Sequence, residues 1–160
     1  MLAKKILIEL QEFVETNLNV MLFNVHEAEK FMSEDIQQVE LEDFINTNRK
    51  STFAQVLFKQ IDKKGHTDSE IYKKARIDRR LFSKIRSNPN YRLGKSTAIA
   101  LALALELNKE ETEELLSSAG FSLSDSDTFD LVIQFCLEKR IFDLDEVNQA
   151  LDYFSLKPLN

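Results

Sequence analysis

The chain is poor in residues that bend or cross-link a polypeptide. Its 160 residues include only 3 glycines, 2 prolines and one cysteine, and tryptophan is absent. Because a single cysteine cannot form a disulfide within the chain, a cross-linked secreted scaffold is excluded and a reducing compartment is favoured. The scarcity of turn-forming residues, beside many Leu, Ala, Glu and Lys, predicts a mainly α protein.

Groups that could catalyse a reaction or bind a metal ion are equally scarce. The two histidines, His26 and His66, lie far apart and have no accompanying nucleophile or acid at a familiar spacing. Cys136 stands among apolar neighbours, which is typical of a small buried hydrophobe rather than a reactive thiolate. Zinc sites need more Cys and His, and no glycine-rich phosphate loop occurs. We therefore predict no enzyme activity, no metal and no cofactor.

Long apolar runs are also missing. The most apolar segment, 98–105, has about half the length needed to span a bilayer. The first residues, MLAKKILIELQEF, have an amphipathic helical pattern rather than that of a signal peptide. We expect a soluble, cytoplasmic protein without a membrane partner.

What the chain does contain is a local concentration of positive charge. Residues 63–95, which we call the basic island, hold 11 Lys and Arg against 3 Asp and Glu, whereas the whole chain has a net charge of −6. Such a segment is what a phosphate-facing surface requires. The alternative is a solvated helix face that is basic without a partner.

The centre of the basic island, residues 67–85, reads TDSEIYKKARIDRRLFSKI. Thr67 is a predicted N-cap with Glu70 at the capping-box spacing, and Asp78 is a second predicted N-cap. Apolar residues recur at helical spacing: Ile71, Ala75 and Ile77, then Leu81, Phe82 and Ile85. Two short helices joined by a tight turn, the second one basic, are typical of a helix-turn-helix.

On these residues the chain resembles a known family. Residues 52–121 are similar to the five-helix fold of phage repressors and their bacterial relatives (XRE-type). The matching segments follow in the expected order: TFAQVLFKQIDKKG, TDSEIYKKARI, DRRLFSKIRSN, GKSTAIALALALELN and KEETEELLSSAGF. More narrowly, residues 52–160 resemble a C-terminal module that is fused to bacterial macro domains. That module implies a fold and no activity of its own.

The resemblance implies a transcriptional regulator of bacterial or phage origin that binds double-stranded DNA as a homodimer. Carried over to this sequence, the residues that contact bases are Arg79, Arg80, Ser83 and Lys84. The residues that contact the DNA backbone are Thr67, Lys73, Lys74, Arg86 and Lys95.

Three residues depart from the family pattern. Arg76 replaces the usual turn glycine and must adopt a costlier conformation or a different turn. Leu81 stands where a polar residue is common, and Asp68 replaces the customary glutamine. These departures favour an alternative: a non-catalytic protein-interaction module, such as a phage or mobile-element inhibitor of a host defence protein. Its basic patch would carry Leu81 and Phe82 as an exposed apolar pair.

Residues 1–50 form a different predicted unit. A helix is predicted over 5–16, a strand over 20–25 (VMLFNV) and a helical stretch from about 26 to 46. This order loosely resembles the last part of a macro domain, without its glycine-rich ADP-ribose loops. Residues 20–25 could also be helical core. Because a lone apolar strand needs a partner edge, we predict a homodimer through residues 1–50.

The remaining segments predict further helices. The run STAIALALALEL alternates like a strand, but Ala and Leu are strong helix formers, so we predict a buried helix from about 96 to 108. Beyond a polar connector, helices over 128–139 and 143–154 have N-caps Asp127 and Asp143 and an acidic surface that includes Asp130. The predicted domains are 1–50, a helix-turn-helix bundle over 51–124, and a packed helix pair over 125–160.

Overall fold

The computed structural model describes residues 4–18 and 37–159. All regular structure within these ranges is α-helical, so the predicted mainly α class is confirmed. The helices are α1 Lys4–Leu18, α2 Gln38–Asn48, α3 Phe53–Lys64, α4 Asp68–Lys74, α5 Arg79–Ser87, α6 Lys95–Ala104, α7 Lys109–Ser118, α8 Thr128–Glu138 and α9 Leu144–Tyr153. The predicted strand over 20–25 lies outside the described residues, as does the first part of the helical stretch predicted from residue 26.

The chain divides into two compact units, residues 1–49 and 50–160. In the first unit, α2 buries none of its residues. Large apolar side chains are exposed on its two described helices: Ile6, Leu10, Phe13, Val39, Leu41, Phe44 and Ile45. The further division of the second unit at residue 124 stays a prediction.

The second unit is built around α6. Every residue over 98–105 is buried, because α4 and α7 both pack against this helix and apolar neighbours surround it. The buried helix expected here is therefore present, and the alternating pattern does not indicate a strand. The expected end near Asn108 is wrong, since α6 ends at Ala104. Glu106 adopts a φ of 52°, and the N–H of Leu107 donates to the carbonyl of Ala102 at 3.1 Å.

Most helices of the second unit end in the same way as α6. One residue at positive φ follows the end of six helices, and the N–H of the next residue donates to the carbonyl five residues earlier. These helices are α3, α4, α6, α7, α8 and α9. Glycine occupies this position only at Gly65 and Gly120. The other four are Arg76, Glu106, Arg140 and Ser155. A side chain there costs about 1 kcal/mol relative to glycine, so most helices of this unit end under mild backbone strain.

Helices α8 and α9 start at the predicted caps. Asp127 accepts the N–H of Asp130 at 3.0 Å, and Asp143 accepts that of Asp145 at 2.8 Å. Both helices contribute to the same core as α6. Cys136 is fully buried there, and burial raises the pKa of its thiol. The expectation that Asp130 belongs to an acidic surface is wrong, because only 1% of this residue is exposed.

Candidate nucleic-acid interface

Side-chain caps fix where α4 and α5 begin. Thr67 Oγ1 accepts the N–H of Glu70 at 3.2 Å, and Asp78 Oδ1 accepts the N–H of Arg80 at 2.8 Å. Both predicted N-caps are therefore confirmed. The Glu70 carboxylate also lies 3.1 Å from Nδ1 of His66. This contact, followed by those with Thr67, lowers the pKa of Glu70 from its usual value.

One side of α5 belongs to the core. Phe82 is only 3% exposed, and its ring lies 5.6 Å from the ring of Phe58 and 5.6 Å from that of Tyr72. Ile85 is buried beside it, and Leu81 packs partly against the core. The expectation that Leu81 and Phe82 form an exposed apolar pair is wrong. The burial of Phe82 and Ile85 determines which side of α5 faces outward.

The outward side carries all four predicted base-contacting residues. Arg79, Arg80, Ser83 and Lys84 are exposed and lie in the first two turns of α5. The three cations among them form no ion pair within the described part of the chain. The amino end of a helix also carries a partial positive charge, which adds to theirs. This surface, the α5 basic face, therefore presents uncompensated positive charge to solvent.

The cations of the basic island differ in whether they already form an ion pair with a carboxylate. Five of its cations contact a carboxylate: Lys63 and Lys64 with Glu111, Arg76 with Asp145, Arg86 with Asp68, and Lys95 with Asp130. Six cations have no ion-pair partner among the described residues: Lys73, Lys74, Arg79, Arg80, Lys84 and Arg92. The unpaired charge is thus concentrated at the end of α4 and in the first half of α5.

The predicted DNA-backbone residues fall into two groups. Thr67, Lys73 and Lys74 are exposed, and the two lysines border a surface cavity of about 420 Å³ beside the start of α9. Arg86 and Lys95 already have protein partners. The guanidinium of Arg86 lies 4.0 Å above the ring of Phe58, and Nζ of Lys95 lies 2.8 Å from Oδ2 of Asp130.

The three departures from the family pattern each have a structural counterpart. Arg76 adopts the left-handed conformation expected at the turn, with a φ of 55°, and Nη2 of its side chain donates to Asp145 at 2.6 Å. Asp68 accepts a hydrogen bond from Arg86, so its negative charge is locally compensated. Leu81 is half-buried rather than fully presented to solvent. Sequence reasoning missed both ion pairs, because no local spacing signals a partner 69 or 18 residues away.

Two further types of site are missing from residues 4–18 and 37–159. No group of three or more His, Cys, Asp or Glu side chains is arranged to bind a metal ion within those ranges. No helix there is long and apolar enough to cross a bilayer. Comparisons of the chain with family models, curated proteins and solved structures give no match.

Proposed function

We propose that residues 50–160 form a repressor-like DNA-binding domain whose α4 and α5 act as a helix-turn-helix, and that the protein regulates transcription. The observation that carries this proposal is the α5 basic face. Its cations are exposed and have no ion-pair partner in the described part of the chain, whereas the opposite side of the same helix is held in the core by Phe82 and Ile85. A rigidly mounted cationic helix is the element that major-groove recognition requires.

The dimensions of α5 suit that role. Its 9 residues correspond to about 13 Å of helix. A helix with its side chains is about 10–12 Å in diameter and therefore fits the major groove, which is about 12 Å wide. Arg79 and Arg80 stand at its amino end, where helices of this type approach base edges. An arginine guanidinium can donate two hydrogen bonds to one guanine, and Ser83 or Lys84 can reach a base or a phosphate.

Phosphate contacts follow from which cations are available. We expect Lys73 and Lys74 to contribute more than Arg86 or Lys95, because the latter two already have carboxylate partners. Thr67 can still donate its hydroxyl proton while its oxygen accepts the N–H of Glu70. These contacts would orient the domain on the duplex without reading sequence.

The experiment is a fluorescence anisotropy titration of the full chain with two labelled DNAs. One is a duplex selected from a randomised library, and the other is a random duplex of equal length. Arg79→Ala and Arg80→Ala should each weaken binding to the selected duplex by about 5–150-fold, equivalent to about 1–3 kcal/mol, and affect the random duplex less. Lys109→Ala, which removes an exposed cation from α7, is the matched control.

A second pair of titrations separates charge from base reading. Lys73→Ala should weaken binding to both duplexes evenly and reduce the slope of log K against log salt by about one. Equal losses on both duplexes from the arginine variants would remove the base-reading role of α5. The absence of binding to either duplex at low salt would remove the DNA-binding function.

The second candidate function is a non-catalytic protein-interaction module, including an inhibitor of a host defence protein. The observation that favours it is the loss of the family pattern at Arg76 and Asp68, both of which pair with protein side chains. In that role the α5 basic face would bind an acidic protein surface. A folded chain that binds no DNA, with an interaction lost in Arg80→Ala, would support this function instead.

A further inference from the structure

The second unit has a contiguous apolar surface that its own core does not use. Leu131 and Phe135 of α8 are 45% and 53% exposed, and Tyr153 and Phe154 at the end of α9 are 84% and 54% exposed. We call these four residues the α8–α9 apolar face. Single exposed apolar residues need no explanation, but a cluster of this size marks an interaction site.

This face combines a groove with a pair of protruding aromatic rings. Between the two helices lies a groove of about 570 Å³, lined on α8 by Thr128, Leu131, Val132 and Phe135 and bordered on its other side by α9. Tyr153 and Phe154 line the α9 side of this groove, and their rings meet edge to face with centroids 5.1 Å apart. Because Tyr153 is 84% exposed, the pair projects from the surface as a ridge. Because ridge and groove belong to one surface, a twofold rotation can place each ridge in the groove of a second copy.

We propose that the α8–α9 apolar face is the interface of a homodimer. Among the described residues, none that lines the groove is charged, so these residues cause no repulsion at its centre. A cation lies at the edge of the face: Nζ of Lys139 is 5.8 Å from the centroid of the Phe135 ring. Charges at the edge and apolar rings at the centre are the usual arrangement of a protein interface.

The area available is sufficient for a stable dimer. At about 200 Å² per aromatic side chain, the three partly exposed rings offer about 400 Å² of apolar surface per copy. Two copies therefore bury about 800 Å² of apolar surface. Since interfaces are about 60% apolar, this corresponds to about 1,300 Å² in total, within the range of specific complexes.

This inference deepens the proposed function, because a symmetric dimer displays two α5 basic faces for two half-sites. It also differs from the prediction of a dimer through residues 1–50. The structure offers a matched pair of variants that separates the two surfaces. Phe135 on α8 and Phe44 on α2 are comparably exposed, at 53% and 66%, so neither substitution opens a core cavity.

The experiment is sedimentation equilibrium of the full chain without DNA. We expect a dimer for the native chain and for Phe44→Asp, and a dimerisation constant at least about 30-fold weaker for Phe135→Asp, as for the loss of a central aromatic contact. Tyr153→Ser, at the most exposed position of the face, should weaken dimerisation to a similar extent. Circular dichroism establishes that each variant is folded. If Phe135→Asp unfolds, Tyr153→Ser decides the question alone.

Two outcomes overturn the inference: a native chain that is monomeric at about 100 µM, or a dimer that Phe44→Asp dissociates and the α8–α9 variants do not. Neither outcome bears on the proposed function, which is read from anisotropy on a duplex carrying one half-site. We expect Tyr153→Ser to keep its affinity for that half-site. On a palindromic duplex it should lose the gain of about 10²–10⁴-fold that two linked sites provide.

Discussion

The α5 basic face and the α8–α9 apolar face belong to the same unit and leave opposite kinds of surface exposed. On α5 Phe82 and Ile85 are buried, and the cations without an ion-pair partner among the described residues point outward. On α8 and α9 a groove without charged residues remains open to solvent. Exposed cations favour an anionic partner, and exposed aromatic rings favour a partner with an apolar surface. On this basis we propose DNA as the partner of the first face and a second copy of the chain as the partner of the second.

Both faces are connected through one core and two ion pairs. Arg76, in the turn after α4, pairs with Asp145 in the first turn of α9. Lys95, the first residue of α6, pairs with the buried Asp130 of α8. Changes in the shared core should therefore affect both faces, whereas changes on one face should leave the other intact.

The largest effect should come from the core itself. Leu101 is fully buried in the middle of α6, so Leu101→Ala should lower the free energy of unfolding by about 2–5 kcal/mol. The opposite change, Ala102→Leu, should overpack the same helix and cost about 1–3 kcal/mol. Urea unfolding measures both. An unchanged midpoint in either variant would mean that α6 is not central, and the two faces would then lack a common support.

The next effect concerns the connection between α6 and α8. Asp130→Ala should destabilise the chain by about 1–3 kcal/mol, because it removes the partner of Lys95 and the acceptor of the Ser124 N–H. Since Lys95 is about one-third exposed, the loss should be smaller than for a fully buried pair.

The double variant Lys95→Met with Asp130→Leu serves as the control for that measurement. It removes both charges and should recover much of the lost stability. If Asp130→Ala has the native urea midpoint, the ion pair does not stabilise the contact between α6 and α8.

Helix ends provide a smaller, stabilising change. Arg140 holds a φ of 56° at the end of α8, so Arg140→Gly should raise the free energy of unfolding by about 1 kcal/mol. Arg76→Gly relieves the same strain but loses the hydrogen bond to Asp145, so its gain should be smaller. Thermal unfolding measures both variants. A destabilised Arg140→Gly would show that the Arg140 side chain contributes more than its backbone strain costs.

The smallest effect should be a pH dependence at Glu111. The N–H of Asn108, then Lys64 and Lys63, lower the pKa of this carboxyl below its usual value. The folded state therefore binds the proton less readily than the unfolded state, and stability rises with pH over the acidic range. The contribution of Glu111 is present above its unfolded pKa of about 4.5 and is lost as pH falls through the lower folded value.

Glu111→Gln should reduce this rise of stability with pH, which urea midpoints between about pH 3 and 6 measure. The helix cap that Asn108 provides is retained in this variant. We therefore expect Glu111→Gln to be slightly less stable than the native chain above about pH 4.5 and to match it at low pH. If the urea midpoint depends on pH in the same way in both chains, the pKa of Glu111 is not lowered.

Local rules predicted much of the fold. The caps at Thr67, Asp78, Asp127 and Asp143 were identifiable because each side chain contacts an N–H only two or three residues away. The buried helix α6 followed from helix propensity, which outweighed the strand-like alternation of its residues. The four predicted base-contacting residues share one exposed surface because their spacing follows the period of α5.

The remainder depends on contacts between distant segments. The end of α6 at Ala104 was missed, because Glu106 rather than glycine adopts the left-handed conformation. The burial of Asp130 was missed, since its partner Lys95 lies 35 residues earlier. The α8–α9 apolar face was likewise invisible. Leu131 and Phe135 follow the same apolar pattern as their buried neighbours, and only tertiary packing separates them.

The most direct test of DNA recognition by the α5 basic face is an Arg79→Lys titration against the selected and random duplexes. This substitution keeps the positive charge but removes the planar fork that donates two hydrogen bonds to one base. We predict binding to the selected duplex weakened by about 5–150-fold, with affinity for the random duplex unchanged. Equal affinities of Arg79→Lys and the native chain for the selected duplex would contradict base reading by Arg79.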